Sequence, residues 1–219
     1  MRRFIKKQCI IMSTLFMAMG VVGCGSSNSD NVAQSATQAT VQEDKDEAKN
    51  VYKELNDTVT GIDTLADDIL NIWHYAIFDS KGYTDLYEIS VMMGVDYNTL
   101  IEVLNKTNYL DSVYIGDKLE GSITSASFSQ AIACYIDCRQ TDGSIDKINQ
   151  SLNNVKDTIK NIPESASYYS KLKEYYVEAN SFYEFCISPT GNYDDAGNKV
   201  EDFRTKCQGY KSDLSFDLE

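Results

Sequence analysis

Four cysteines within the region expected to fold are the residues best able to carry chemistry. Two of them, Cys138 and Cys186, lie at equal distances from a helix turn predicted at 162–163, so they are the first candidates for a disulfide, with Cys134 as competitor. Cys207 falls about 18 Å from the level of Cys186, beyond disulfide reach. Buried free thiols are the alternative, and a Cys-x3-Cys pair without a nearby histidine is a weak zinc pattern. The four are Cys134, Cys138, Cys186 and Cys207.

The remaining polar residues form no recognisable catalytic arrangement. The single histidine, His74, adjoins an apolar helix stripe, and the chain has neither a G-x-S-x-G nucleophile turn nor a glycine-rich phosphate loop. The acidic stretch at 192–202 lacks the spacing of a calcium loop, and Asp194 or Asp195 suits a helix N-cap better. We therefore expect a non-enzymatic protein with no catalytic residues, no metal and no cofactor.

A fifth cysteine, Cys24, ends an amino-terminal targeting segment. Residues 1–8, "MRRFIKKQ", are basic, and the mostly apolar run that follows is too short for a committed membrane span. "VVGC" at 21–24 resembles the lipobox of bacterial lipoprotein signal peptides. The resemblance implies a signal peptide over 1–23, a lipid group on the Cys24 thiol, and anchoring at the extracytoplasmic face of the cell membrane. An ordinary signal peptide with an incidental cysteine is the alternative.

The composition after Cys24 sets further expectations. Residues 24–44 are rich in Ser, Asn, Gln and Thr and predict the lipidated cysteine followed by a flexible tether. The folded domain then spans 45–219, enough for one sizeable core. The formal charge is −13 for the whole chain, and removing the four basic residues of 1–23 leaves −17. Such acidity argues against nucleic acid as a partner and against a polybasic attachment to anionic lipid.

Apolar residues at alternating steps of four and three predict four long helices. The first covers 45–79, and the second covers 131–162 as one helix bent at Gly143, with two shorter helices as the alternative. Pro163 starts the third, and the fourth follows the loop at 188–192. We predict an all-α fold, an antiparallel four-helix bundle. The segments "IWHYAI" at 72–77, "IPESASYYSKLKEYYVEANSFYEF" at 162–185 and "SPTGNY" at 188–193 are similar to uncharacterised helical surface proteins of low-GC Gram-positive bacteria. This resemblance carries over no known activity.

The third predicted helix carries aromatic side chains on two adjacent stripes, and both cannot face one narrow seam. A wide buried face with hydroxyls at its rim is one interpretation, and an exposed aromatic groove for a helix or a sugar is the other. The side chains are Tyr168, Tyr169, Tyr175, Tyr176, Phe182 and Tyr183.

An insert at 83–121 does not follow the pattern of the long helices. "DLYEIS" at 85–90, "GV" at 94–95 and "YIGDKL" at 114–119 resemble the first helix, the inter-helix turn and the closing strand of the lysin-motif (LysM) domain. The resemblance implies a β-α-α-β fold that binds N-acetylglucosamine polymers such as peptidoglycan. Its first strand is missing or displaced in the sequence. A helical hairpin that caps the bundle is the alternative, and its core would be Leu86, Ile89, Leu100 and Leu104.

The order of the helices places the candidate binding residues. In an up-down bundle, the 162–163 turn and the C-terminus lie near the membrane, while the insert and the 188–195 loop lie at the distal end. Aromatic side chains there are the candidates for binding an envelope protein, the expected partner, or peptidoglycan as the alternative. They are Trp73, Tyr87, Tyr114 and Tyr193.

Overall fold

The structure, a computed structural model, describes the backbone of residues 29–80 and 82–218 and the side chains of 44–80 and 82–218. The predicted signal peptide at 1–23 and the lipidated Cys24 lie outside these residues. The chain divides into units 1–38 and 39–219, and the described part of the first unit is helical.

The described residues are mostly helical, with one small sheet, so the prediction of a mainly helical protein is confirmed. A single turn of π-helix, Tyr75–Asp79, follows the first helix. The helices are α1 Ser29–His74, α2 Leu86–Met92, α3 Tyr97–Lys106, α4 Phe128–Thr141, α5 Ser144–Ile159, α6 Tyr169–Ile187 and α7 Tyr193–Leu218. The strands are β1 Tyr83–Asp85, β2 Asp111–Ile115 and β3 Lys118–Ser122.

The first helix starts earlier than the sequence predicts. The backbone over 29–44 is helical, where a flexible tether is expected. This stretch contains no Gly or Pro, and Ala and Gln recur in it. Both residue types have good helix propensity, so the α1 helix can extend toward the N-terminus without a break.

The predicted second helix is divided into α4 and α5. Gly143 takes a left-handed conformation with φ of 79°, which interrupts the helical backbone. The Asp142 carboxylate then accepts a hydrogen bond from the Ser144 N–H at 2.8 Å and opens α5. The alternative of two shorter helices is therefore correct, and one continuous helix is wrong.

The last two long helices also differ from the prediction at their first residues: α6 begins later, and α7 has a different N-cap residue. Residues 163–168 form hydrogen-bonded turns, and α6 begins only at Tyr169 rather than at Pro163. The side-chain oxygen of Asn192 accepts from the Asp195 N–H at 2.9 Å, so Asn192 caps α7 in place of Asp194 or Asp195.

Cross-helix contacts give the direction of each long helix relative to α1. Thr58 meets Ser151 on α5 at 2.6 Å, and Asp68 meets Arg139 on α4 at 2.9 Å, so the chain returns antiparallel to α1. Helix α6 then runs parallel to α1 and α7 antiparallel to it. The pairs that show this are Asn56 with Tyr175, Ile62 with Cys186, Asp63 with Arg204, and Tyr52 with Lys211.

The core lies between these helices and includes the aromatic face of α6. Tyr175 and Phe182 are almost completely buried, and the Phe182 ring stacks on Phe203 with centroids 5.0 Å apart. Tyr168 and Tyr183 are buried as well, while Tyr169 and Tyr176 pack at the rim. The interpretation of a wide buried face is therefore confirmed for α6.

Residues 83–122, called the inserted module below, contain β1, α2, α3, β2 and β3 in that order. The sheet is antiparallel with strand order β1-β3-β2. Gly121 on β3 lies against α2, because an added Cβ would come within 2.5 Å of a Leu86 methyl. Strand β1 occupies Tyr83–Asp85, although the sequence indicated no strand there. Leu86, Ile89 and Leu100 are buried beneath the sheet and helices.

Candidate binding surface

The four candidate cysteines are free, buried thiols in the structure, which agrees with the alternative of buried free thiols rather than with the candidate Cys138–Cys186 disulfide. The Cys134 thiol contacts Cys138 one turn along α4, and this contact and burial raise the pKa of Cys134. The Cys186 thiol instead faces α1, 3.8 Å from the carbonyl oxygen of Ile62. Burial raises the pKa of Cys186 as well, so Cys134 and Cys186 stay protonated and act as small core residues.

Trp73 offers little surface of its own to a ligand, because its side chain is only 3 % exposed. The indole stacks on Phe128 at 5.0 Å and meets the edge of the Tyr193 ring at 6.4 Å. Tyr193 is half-buried against His74 and Phe78. Both residues therefore pack mainly against the protein itself, and binding of a ligand by Trp73 or Tyr193 stays a prediction.

Tyr87 and Tyr114 are the two predicted binding residues that point into solvent. Tyr87 is 62 % exposed and lies in the first turn of α2, where the Asp85 carboxylate accepts its N–H at 2.8 Å. That hydrogen bond and the Lys118 ammonium lower the pKa of Asp85, which keeps the cap charged. Tyr114 is 76 % exposed on β2. The Tyr87 ring also contacts the Tyr97 ring at 6.1 Å.

Exposed apolar side chains concentrate on the inserted module. Among the described side chains, six of the eleven large exposed hydrophobic residues belong to it, although it is a small part of the chain. Such a concentration is typical of an interaction surface rather than of scattered surface residues. The six are Tyr83, Tyr87, Val91, Val113, Tyr114 and Ile115.

A partly buried charged contact, called the Arg139 bridge below, joins the module to the long helices. The Arg139 guanidinium donates to the Gly94 carbonyl oxygen at 2.7 Å and to Asp68 at 2.9 Å. The Tyr135 hydroxyl donates to the same Asp68 oxygen at 2.7 Å, and burial and this bond raise the pKa of Tyr135. This contact was not identified from the sequence. The only clue in the sequence was the position of Arg139 directly after Cys138 of the buried stripe, because a charged residue beside a buried face needs a partner.

A cleft of about 290 Å³ lies where the module meets the long helices. Trp73 and Phe128 form its floor, and Tyr109 of the α3–β2 connection lies at its side. Asp137 hydrogen-bonds the Tyr109 hydroxyl and thereby raises its pKa. The cleft has both apolar and polar lining residues, and its one carboxylate already has a protein partner.

The described residues, 29–80 and 82–218, lack two features. No group of His, Cys, Asp and Glu side chains among them is arranged to hold a metal ion. None of the helices there is both long and apolar enough to cross a membrane.

Comparison with known proteins adds no relative. No family model matches the chain, and neither a curated protein nor a solved structure does. The functional argument therefore depends on the surfaces described above.

Proposed function

We propose that this chain is a lipid-anchored, extracytoplasmic binding protein of the cell envelope whose inserted module binds N-acetylglucosamine-containing glycan such as peptidoglycan. In this proposal the lipid is on Cys24, the long helices form a four-helix bundle that supports the module, and the protein is not an enzyme. The observation that carries it is the exposure of Tyr87 and Tyr114 on a β-α-α-β-β module in which β1 and β3 are adjacent and antiparallel. The lysin-motif resemblance implies the order β-α-α-β, so the module has one strand more than the resemblance implies.

The chemistry of the exposed side chains suits a glycan. A tyrosine ring offers a flat apolar face for the C–H face of a sugar ring, and its hydroxyl both donates and accepts hydrogen bonds. The rings of Tyr87 on α2 and Tyr97 on α3 lie next to each other and offer two such faces. The module is also held rigidly, because the Arg139 bridge ties Gly94 to α1 and α4. A rigid surface loses less conformational entropy when it binds a ligand.

A second candidate function is binding to an envelope protein. The aliphatic side chains of Val91, Val113 and Ile115 are exposed beside the tyrosines. Aliphatic side chains contribute more to a protein interface than to a sugar site, because they offer no hydrogen bonds. The same module could therefore bind a protein on another face.

The test is co-sedimentation of the 39–219 unit with purified peptidoglycan. We expect the wild type to pellet and the double variant Tyr87→Ala with Tyr114→Ala to lose at least ~90 % of the pelleted fraction, since ΔG would weaken by more than ~1.4 kcal/mol. Phe216→Ala is the matched control, because Phe216 is an exposed aromatic residue of α7, outside the module. Soluble chitin oligomers should compete with the retention. Equal pelleting of the double variant, or no pelleting of the wild type, would contradict the proposal.

A further inference from the structure

Strand β2 is an edge strand with one free side. It pairs with β3 along its whole length, and the sheet order β1-β3-β2 leaves its other side without a neighbouring strand. All five of its residues are exposed, so no described element covers that side. Backbone N–H and C=O groups on the free side therefore face solvent and can pair with another strand.

The hairpin turn shows which backbone groups are free. Only Gly116 and Asp117 separate β2 from β3, and Gly116 has a φ of 65°, as a two-residue turn of this kind requires. Such a turn closes on a hydrogen-bonded pair, here Ile115 and Lys118, and hydrogen-bonded pairs alternate along an antiparallel ladder. The N–H and C=O groups of Ser112 and Tyr114 therefore point away from β3, toward the free side.

The usual protections of an edge strand are missing from β2. Proteins block such edges with proline, lysine, a β-bulge or a covering element. Residues 111–115 contain neither proline nor lysine, and their pairing with β3 is one-to-one, without a bulge. A strand of the sequence "DSVYI" left open in this way is suited to accept another strand.

The side chains along this edge indicate the chemistry of its partner. Gly121 faces α2, and its partner Ser112 faces the same way, so Val113 and Ile115 lie on the opposite, outer face. Both are exposed, and Asp111 shares that face. The module contains seven acidic and two basic residues, a net charge of −5. An acidic surface around an apolar strand favours a basic partner and disfavours a second copy of this acidic chain.

We propose that the free edge of β2 binds an extended, basic segment of a partner protein by strand addition. The segment would pair with the outward N–H and C=O groups of Ser112 and Tyr114, place apolar side chains against Val113 and Ile115, and place a lysine or arginine near Asp111. This site differs from the tyrosine surface proposed for glycan, because it uses backbone groups and the outer face of the sheet.

The probe is a fluorescein-labelled, seven-residue peptide of alternating valine and threonine with a lysine at each end, and a matched peptide carries glutamates instead. Binding to the 39–219 unit would be followed by fluorescence anisotropy, and backbone amide shifts and exchange protection by NMR. Ser112→Pro removes one outward N–H while leaving the β3 pairing in place, since proline is tolerated at the free side of edge strands. Ser112→Ala keeps the N–H and is its control.

We expect the lysine peptide to bind the wild type and to protect the amides of Ser112 and Tyr114 from exchange. Its affinity for Ser112→Pro should be at least tenfold lower, and its affinity for Ser112→Ala should equal that for the wild type. Asp111 is exposed, so Asp111→Lys should leave the fold intact. This substitution should weaken binding of the lysine peptide and strengthen binding of the glutamate peptide. Peptidoglycan retention should stay unchanged in Ser112→Pro, so this proposal and the glycan proposal can fail separately.

Several results would overturn the proposal. One is that the lysine peptide binds Ser112→Pro as tightly as it binds the wild type. A second is that millimolar lysine peptide shifts no backbone amide of β2. Another is equal binding of the glutamate peptide, which would remove the charge argument. The last is a concentration-dependent dimer in sedimentation with the Ser112 and Tyr114 amides protected without peptide, which would assign the edge to a second copy of the chain.

Discussion

The long helices and the inserted module place the same kind of side chain in opposite environments. On α6 and α7 the rings of Phe182 and Phe203 stack inside the core, whereas Tyr87 and Tyr114 of the module stand in solvent. Exposed aromatic surface is unfavourable for folding unless something else covers it. Aromatic residues therefore stabilise the core of the long helices, while the exposed rings of the module are the ones that the proposed function assigns to recognition, although the tyrosines of both regions look alike in sequence.

The largest expected effect tests the structural side of this comparison. Phe182→Ala should lower the free energy of unfolding by ~3–5 kcal/mol, because it opens a cavity beneath Phe203 in a fully buried site. Phe216→Ala, at 84 % exposure, should change it by less than ~0.5 kcal/mol. Urea denaturation followed by circular dichroism measures both. Similar losses for the two variants would show that burial does not separate the aromatic residues into these classes.

A second prediction concerns the joint between the two regions. Arg139→Met should cost ~2–3 kcal/mol, because the partly buried Asp68 carboxylate loses its cation and the Gly94 carbonyl loses a hydrogen-bond donor. The control is Lys106→Met, since the Lys106 side chain is 65 % exposed and pairs only with Glu102 one turn away, worth ~0.3–0.5 kcal/mol.

Hydrogen exchange would locate the effect of the Arg139 substitution. We expect faster exchange at the α2–α3 turn around Gly94 in Arg139→Met, with little change in α6 and α7. An unchanged rate at that turn would mean that the module is held by its apolar contacts alone.

A third prediction gives opposite signs to two glycine substitutions. Gly94 has a φ of 63°, and a Cβ there would come within 3.3 Å of the Arg139 guanidinium, so Gly94→Ala should destabilise by ~1–2 kcal/mol. Gly209 lies inside α7 with no atom near an added Cβ, so Gly209→Ala should stabilise by ~0.5–1 kcal/mol. Thermal and urea unfolding measure both. Stabilisation by Gly94→Ala would contradict the backbone geometry described for the joint.

The smallest expected effect depends on pH. Burial alone would raise the pKa of Asp142, but hydrogen bonds from Ser144 and Arg139 outweigh it and lower the pKa below the ordinary aspartate value. The carboxylate therefore stabilises the fold above the unfolded pKa of about 4, and this contribution is lost as the pH falls through the lower folded pKa. Wild type should exceed Asp142→Asn in stability at pH 7, and the difference should shrink as the pH falls below the unfolded pKa. A difference that stays constant over the whole acid range would exclude ionisation as its cause.

The long helices could be predicted from sequence because their apolar stripes repeat over many turns. Residues such as Leu55, Ile62 and Leu152 fall on those stripes and are buried. The break at Gly143 was harder to predict, because the apolar stripe continues in phase on both sides of this left-handed residue. Strand β1 has three residues, too few for an alternating pattern to be recognised.

The binding surface was predicted only in part, for a physical reason. Whether an aromatic side chain is exposed depends on what packs against it from distant parts of the chain. Phe128 covers Trp73 across 55 positions of sequence, while Tyr87 and Tyr114 stay largely exposed among the described residues. The Arg139 bridge is equally non-local, because Asp68, Gly94 and Arg139 lie on three separate elements. No local pattern identifies such a contact.

The Arg139 bridge also has a mechanical consequence. A force that pulls the module away from the long helices is carried by the covalent connections at its two ends and, in parallel, by Arg139 between Gly94 and Asp68. The guanidinium spans the joint as a short, stiff link, so it takes up load before the peptide segments on either side are stretched. Rupture under tension should therefore begin at this link, with α2 and α3 separating as a unit while α1 remains helical.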